Sequence, residues 1–268
     1  MARVLPSAAV ICAALLWSVD GVLRQDLQNI SSLVIVSIEY LLGASIFLPF
    51  LFRSTSKIKR LDRKGWTSIF WVSICGGLLG TYLYTKALGY VNYIDLSVVV
   101  LIQKLHPLFA ISLVSIVPRE KVSKSFIFLA SSAILGGYLT NFGNKPFLFL
   151  DNKSIIVSLF AMLASFCWGS STVLRKAALK QIPFKLMTCI RLIVTGAIAL
   201  LIIISFGNFS DIYSLSLESY KTIIIIVFTS GSIALSIYYY GLQNLAASHA
   251  TIYELVWPLS AVSIDWLI

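Results

Sequence analysis

Nine apolar runs divide this chain almost end to end: 5–23, 32–52, 66–86, 96–117, 125–142, 154–174, 186–206, 221–242 and 247–268. Each is close to the ~20 residues that a helix rising 1.5 Å per residue needs to cross a bilayer. Hydrocarbon offers backbone amides no partners, so a spanning segment must be a helix or part of a closed barrel. None of the runs alternates polar and apolar residues as a barrel strand does. The expectation is an all-α polytopic membrane protein. Of the 268 residues, 12% are charged, about half the ~25% of a soluble domain.

The net charge of +10 does not point to nucleic acid, because the basic residues fall in alternate connections. One side of the membrane collects Arg3, Arg53, Lys57, Lys59, Arg60, Arg63, Lys64, Arg119, Lys121, Lys124, Arg175, Lys176, Lys180 and Lys185. The other side holds only Arg24, Lys86, Lys145, Lys153 and Lys221. Cytoplasmic connections carry the excess of Lys and Arg, so the N-terminus is expected in the cytoplasm and the chain in an inner or plasma membrane, with lipid as its solvent. The first run lacks an A-x-A-like cleavage site and is expected to be retained. Cys12, Cys75, Cys167 and Cys189 lie inside apolar runs without a CxxC pair and read as packing residues. No metal or cofactor is expected.

An internal repeat organises these runs. Trp17 and Trp168 are 151 residues apart, and so are Val22-Leu23-Arg24 and Val173-Leu174-Arg175, and Pro107 and Pro258. The halves are 1–146 and 147–268, a five-helix unit and its copy. Five crossings are an odd number, so the second copy starts on the opposite side of the membrane and is inverted. The second copy is expected to stop after its fourth helix, giving nine of ten helices. The surface of the ninth helix then faces lipid or a partner, a homodimer among the alternatives.

Two runs combine a central proline with polar groups. Gln103, Lys104 and His106 precede Pro107, and Glu254 and Trp257 precede Pro258. Proline removes a helix hydrogen bond, and broken, polar-centred helices in matching halves point to a transporter site. A charge at bilayer depth costs about 2.5–3.5 kcal/mol on insertion scales, so Lys104, with His106, is expected to meet an anionic group of a substrate or a buried acid. Glu254 corresponds to Gln103 and Trp257 to His106, which places all five as substrate-binding. Glu39 and Arg191, 152 apart, are expected to meet at the interface between the halves. Burial favours the uncharged form of a carboxyl, so Glu39 is expected either as a proton carrier or in a structural Glu39–Arg191 or Glu39–Lys104 pair. Asp20, whose repeat-mate is Ser171, joins this group. Tyr82, Tyr84, Tyr90, Tyr93 and Tyr238–Tyr240 are expected to belt the membrane interface, and Gly76 and Gly80 to let two helices approach closely.

Pro107-Leu108-Phe109-Ala110 leads to Pro118-Arg119-Glu120-Lys121, with Glu120 thirteen residues after Pro107. Pro258-Leu259-Ser260-Ala261 repeats the start, and Tyr84-Thr85-Lys86-Ala87-Leu88 is echoed by Tyr240-Gly241-Leu242. In these motifs the chain resembles the drug/metabolite transporter superfamily, EamA type. The resemblance implies ten helices in two inverted five-helix repeats and secondary transport of small metabolites such as amino acids or nucleosides, by alternating access and with proton coupling left open. The first repeat departs from the family pattern: Ala87 to Pro107 is twenty residues, whereas Gly241 to Pro258 is seventeen. No Walker loop, HExxH or GxSxG is present, so the chain is not expected to be an enzyme. Two rival readings are an intramembrane enzyme acting on a lipid-linked substrate through Lys104, His106 and Glu254, and a truncated, non-functional transporter remnant.

Overall fold

The computed structural model describes residues 4–90, 99, 102–103, 105–116, 128, 131–132, 135, 152–206, 210–213, 215–254, 256–257 and 260. Among these there is no strand. The longer helices are α1 Val4–Ser18, α2 Asp20–Gln25, α3 Ser32–Arg53, α4 Arg63–Trp71, α5 Gly80–Leu88, α6 His106–Ile116, α7 Asn152–Leu179, α8 Phe184–Ser205, α9 Leu217–Phe228, α10 Ser232–Asn244 and α11 Ala247–Glu254. They combine into six membrane-length segments: Val4–Gln25, Ser32–Arg53, Arg63–Leu88, Ile155–Leu179, Phe184–Ser205 and Leu217–Asn244. These correspond to six of the nine apolar runs. Of the other three, 96–117 is described over most of its length, including α6, and 247–268 in part, including α11, while 125–142 lies largely outside the described residues.

Local chemistry marks where several helices begin and end. The Asp62 side chain accepts from the Gly65 amide at 2.7 Å and so caps α4, and the Ser216 hydroxyl caps α9 through the Ser219 amide at 3.0 Å. Each satisfies one of the amides that a helix start leaves without a partner. Gln181 donates to Asp62 Oδ1 at 2.9 Å and accepts from its amide at 3.0 Å. The Gly65 amide and Gln181 together hold the Asp62 carboxyl below its ordinary carboxylate range. At the end of α10, Lys176 Nζ donates to the carbonyls of Leu242, Gln243 and Leu245, where a cation also suits the negative end of the helix.

The third helix of each half is irregular at its middle. Between α4 and α5 the ladder widens into a π-helix, Val72–Leu79. Between α9 and α10 it breaks at Thr229, Ser230 and Gly231. Both departures lie against the same central space, as π-bulges and broken membrane helices commonly do.

Packing partners are exchanged between the halves. α1 lies on α10 and α11, while α7 lies on α4, the π-helix, α5 and α6; α3 packs along α8, its own counterpart. Such an exchange is what a two-fold relation between the halves produces. Small residues allow the close crossings: a Cβ on Gly43 would overlap the Ser232 side chain, with Oγ 1.6 Å away. The core around these crossings includes Val36, Ala44, Ile69, Met187, Leu192, Tyr238 and Tyr239. No more than 56% of any membrane-length segment's apolar window is buried. Phe52, Leu159, Leu163, Leu201 and Ile204 point outward, where lipid rather than water is their solvent.

Candidate functional site

The helix irregularities and the ends of α1 and α7 enclose a cavity of about 130 Å³ between the halves. Its wall carries three arginines, Arg24, Arg175 and Arg191, and three carboxylates, Asp20, Glu39 and Glu254, together with His106.

On one side, Arg24 acts as a clasp. Its Nε donates to Asp20 Oδ2 at 2.6 Å, its Nη2 to Glu39 Oε2 at 2.8 Å and its Nη1 to Thr85 Oγ1 at 3.4 Å. Ser230 Oγ donates to the other Asp20 oxygen at 2.6 Å. One guanidinium thus ties α2, α3, α5 and the break before α10. Arg24 and Glu39 are each 4% exposed. Removing one partner of such a pair would strand a buried charge.

The second arginine uses the π-helix. Arg191 Nη2 donates to Gly76 O at 2.8 Å, and Trp168 Nε1 donates to the same carbonyl at 3.1 Å. A π-ladder releases a carbonyl for such use. Gly76 also permits the approach, since a Cβ there would lie 2.4 Å from Ser171 Oγ. Arg191 Nη1 donates to the Tyr239 hydroxyl at 2.7 Å.

At the centre, His106 Nδ1 lies 3.2 Å from Gln103 O, and Nε2 lies 2.8 Å from Glu254 Oε2. A carbonyl can only accept, so Nδ1 bonds to it in the tautomer that carries a proton there. The 2.8 Å separation of Nε2 and Oε2 requires one proton shared between them. The Tyr238 hydroxyl donates to Glu254 Oε1, which satisfies the other carboxyl oxygen. The third arginine, Arg175, lies over the rings of Tyr238 and Tyr239 at 5.1 and 5.2 Å.

Aromatic rings line the space between the charges. Trp17 packs on Tyr238 with centroids 5.1 Å apart, Trp168 on Tyr84 at 5.3 Å, and Trp168 edge-on to Trp257 at 6.3 Å. Trp257 also meets His106 at 6.2 Å. Among the described residues no His, Cys, Asp and Glu group has the composition of a metal site.

Of the residues expected from the sequence, His106, Glu254, Trp257, Glu39, Arg191 and Asp20 meet around this one cavity. Gln103 is fully buried but does not line it, and both polar atoms of its side-chain amide lack a hydrogen-bond partner. Lys104 and Pro258 lie outside the described residues, and Pro107 is described only as part of the α6 backbone. Three expectations are corrected. Glu39 and Arg191 do not pair: Glu39 is bound by Arg24, and Arg191 by Tyr239 and a carbonyl. Arg24 and Arg175, counted as connection charges, are each 4% exposed inside the bundle, and the charge bias survives without them. Tyr84, Tyr238 and Tyr239 are buried in the bundle, the first two against the cavity, rather than belting an interface, because each reaches a charged or aromatic partner there. Tyr93 lies outside the described residues. The missed residues, Arg24, Arg175, Trp17 and Trp168, were all visible as landmarks of the 151-residue offset; their repetition marked the repeat, and burial made them a site.

The EamA-like transporter family matches at residues 6–142 and again at 155–268. A protein named riboflavin transporter ImpX, from Fusobacterium nucleatum subsp. nucleatum, is 35% identical over 266 residues, covering 97% of this chain and 89% of that protein. A solved crystal structure with 15% identity superposes with a TM-score of 0.76, over 99% of this chain and 88% of the other. At that identity the likeness concerns the fold.

Proposed function

The chain belongs to the EamA-like transporter family and is a membrane transporter of that kind; on that premise we propose that it carries riboflavin or a closely similar flavin, held in the central cavity and passed across by alternating access. The observation that carries this reading is the convergence of Trp17, Trp168 and Trp257, drawn from both halves, around a charged hydrogen-bonding centre. A flavin presents a flat three-ring system with polar atoms along one edge and a hydroxylated chain. Aromatic walls suit its faces, and fixed donors and acceptors suit its edge. The similarity to a protein named as a riboflavin transporter supports this cargo over the amino acids and other nucleoside-like compounds that the sequence also allows.

The two halves, 1–146 and 147–268, are read as inverted copies with the N-terminus in the cytoplasm. The 151-residue offset and the exchanged packing of α1 and α7 support this reading. Alternating access then consists of the halves rocking about α3 and α8, opening one end of the cavity as the other closes. Proton coupling is assigned to His106 and Glu254 rather than to Glu39. A proton already sits between Nε2 and Oε2, and its departure would leave two acceptors facing each other at 2.8 Å. Glu39, by contrast, is committed to Arg24. Transport fits better than lipid-linked enzymology, because the His106–Glu254 pair is buried at the centre of the bundle.

Riboflavin uptake into proteoliposomes tests the reading. Saturable uptake that rises with an imposed proton gradient, and loses that rise in Glu254→Gln, is expected. Uptake no greater than in protein-free vesicles would refute the cargo, and an unchanged gradient response in Glu254→Gln would remove Glu254 from coupling.

A further inference from the structure

We propose that Arg175 is the cavity's recognition cation, whose free guanidinium nitrogens bind an acceptor-bearing edge of the cargo such as the paired carbonyls of a flavin's pyrimidine ring. The identity of the cargo rests on the flavin reading; the role of the cation does not.

Arg175 differs from its repeat-mate in what holds it. Arg24 and Arg175 end the two Val-Leu-Arg triplets, line the same cavity and are each 4% exposed. Arg24 has Asp20 and Glu39 as ion-pair partners. Among the described residues, Arg175 has none. The place of Asp20 is taken by Ser171, whose buried hydroxyl has no hydrogen-bond partner, and Glu39 falls opposite Ile190 or Arg191. The carboxylate of Glu254 is already engaged by His106 and Tyr238.

A guanidinium has five N–H donors. Arg175 commits one, from Nε to Ser171 O at 2.8 Å, one turn back in its own helix. The faces of Tyr238 and Tyr239 orient the guanidinium and partly offset its charge, but they offer no acceptor to its edge. A buried cation with unused donors beside a cavity needs an acceptor from outside the fold. The two terminal nitrogens form a planar fork that matches two acceptors side by side. Carboxylate, phosphate and imide edges share that pattern. The tryptophans around the same space select the version mounted on a flat ring.

The test combines two measurements on purified full-length protein: riboflavin binding, read by quenching of flavin fluorescence, and melting of the ligand-free protein. Wild type, Arg175→Lys and Arg175→Met are compared, with phenazine as a three-ring probe that lacks carbonyls. Losing a charge-assisted fork is expected to weaken riboflavin about 10- to 100-fold in Arg175→Met, with Arg175→Lys intermediate. Phenazine binding is expected to be the same in wild type and Arg175→Met, and the empty Arg175→Met protein to melt no lower than wild type. Riboflavin affinity within about twofold of wild type in Arg175→Met, equal weakening of phenazine, or a melting temperature well below wild type overturns the proposal and leaves the flavin reading standing. Wild type that binds no flavin, with Arg175→Met melting no lower, overturns the flavin reading and supports a cation awaiting another cargo. No flavin binding together with a destabilised Arg175→Met defeats both.

Discussion

Arg24 and Arg175 occupy matching turns of the two halves, 151 residues apart, yet one is clasped by two carboxylates and the other lies across two tyrosine faces. The duplicated backbone delivers a guanidinium to each side of one cavity. The neighbours then decide what it does. In the first half, Asp20 and Glu39 turn it into a tie between four segments. In the second half the corresponding acids are missing, and the same group keeps donors to spare. A symmetric scaffold therefore supports an asymmetric site: one arginine holds the structure and the other is available to what passes through it.

The largest expected effect breaks the clasp. Arg24→Met strands Asp20 and Glu39 in the bundle and should cost about 3–5 kcal/mol of stability, read as a lowered melting temperature. Adding Glu39→Gln should restore part of the loss, and a double-mutant cycle with no coupling would show that the two residues do not act as a pair. Arg175→Met, by contrast, should not melt earlier, which makes the repeat-mates opposite in their response.

The aromatic walls sharpen the comparison next. Trp17 and Trp168 are repeat-mates that each pack on a cavity tyrosine. Trp17→Ala and Trp168→Ala should each weaken flavin binding by about 1–3 kcal/mol, the scale of ring stacking on an aromatic side chain. Titration calorimetry on the two variants would reveal whether the halves share the ring equally; a loss confined to one would extend the asymmetry from charge to stacking.

A comparable or smaller loss is expected from Gly76→Ala. The added methyl carbon meets Ser171 Oγ, at 2.4 Å before any relaxation, and overpacking of this kind costs about 1–3 kcal/mol. Ser171→Gly in the same chain should recover most of it in a melting experiment. Failure to recover would mean that the π-helix itself, not the contact with α7, resists the change.

The smallest effect lies at the edge of the bundle. The Asp62 carboxyl is held below its ordinary range by the Gly65 amide and by Gln181. A depressed value means that the carboxylate contributes stability above the ordinary carboxylate range, and that the contribution fades as the pH falls through the lowered value. Asp62→Asn should therefore melt slightly earlier than wild type at neutral pH, with the difference closing in acid. A difference that persisted unchanged in acid would point to the amide substitution itself rather than to charge.

Six of the nine expected spans stand as membrane-length helices, and they were legible because hydrophobic length is a property of the sequence alone. Partnership was not. Glu39 and Arg191 look like mates by position, but Arg24 sits one helical turn beyond Asp20 and reaches Glu39 first. Connection charge and cavity charge carry the same letter, so Arg24 and Arg175 were indistinguishable from topology signals until burial separated them. The π-helix was hidden for a related reason: Gly76 and Gly80 announce a close crossing, whereas the widened ladder depends on Arg191 and Trp168 arriving at the freed carbonyl. His106 and Glu254 were singled out separately, and only the fold brings them within 2.8 Å.

The most direct measurement is counterflow: vesicles carrying the reconstituted protein are loaded with unlabelled riboflavin and diluted into a trace of labelled riboflavin, with wild type and Trp168→Ala side by side. Transient accumulation of label by wild type and its loss in Trp168→Ala would place flavin passage through the cavity between the halves. No accumulation by wild type, or equal accumulation by a folded Trp168→Ala protein, would contradict that claim.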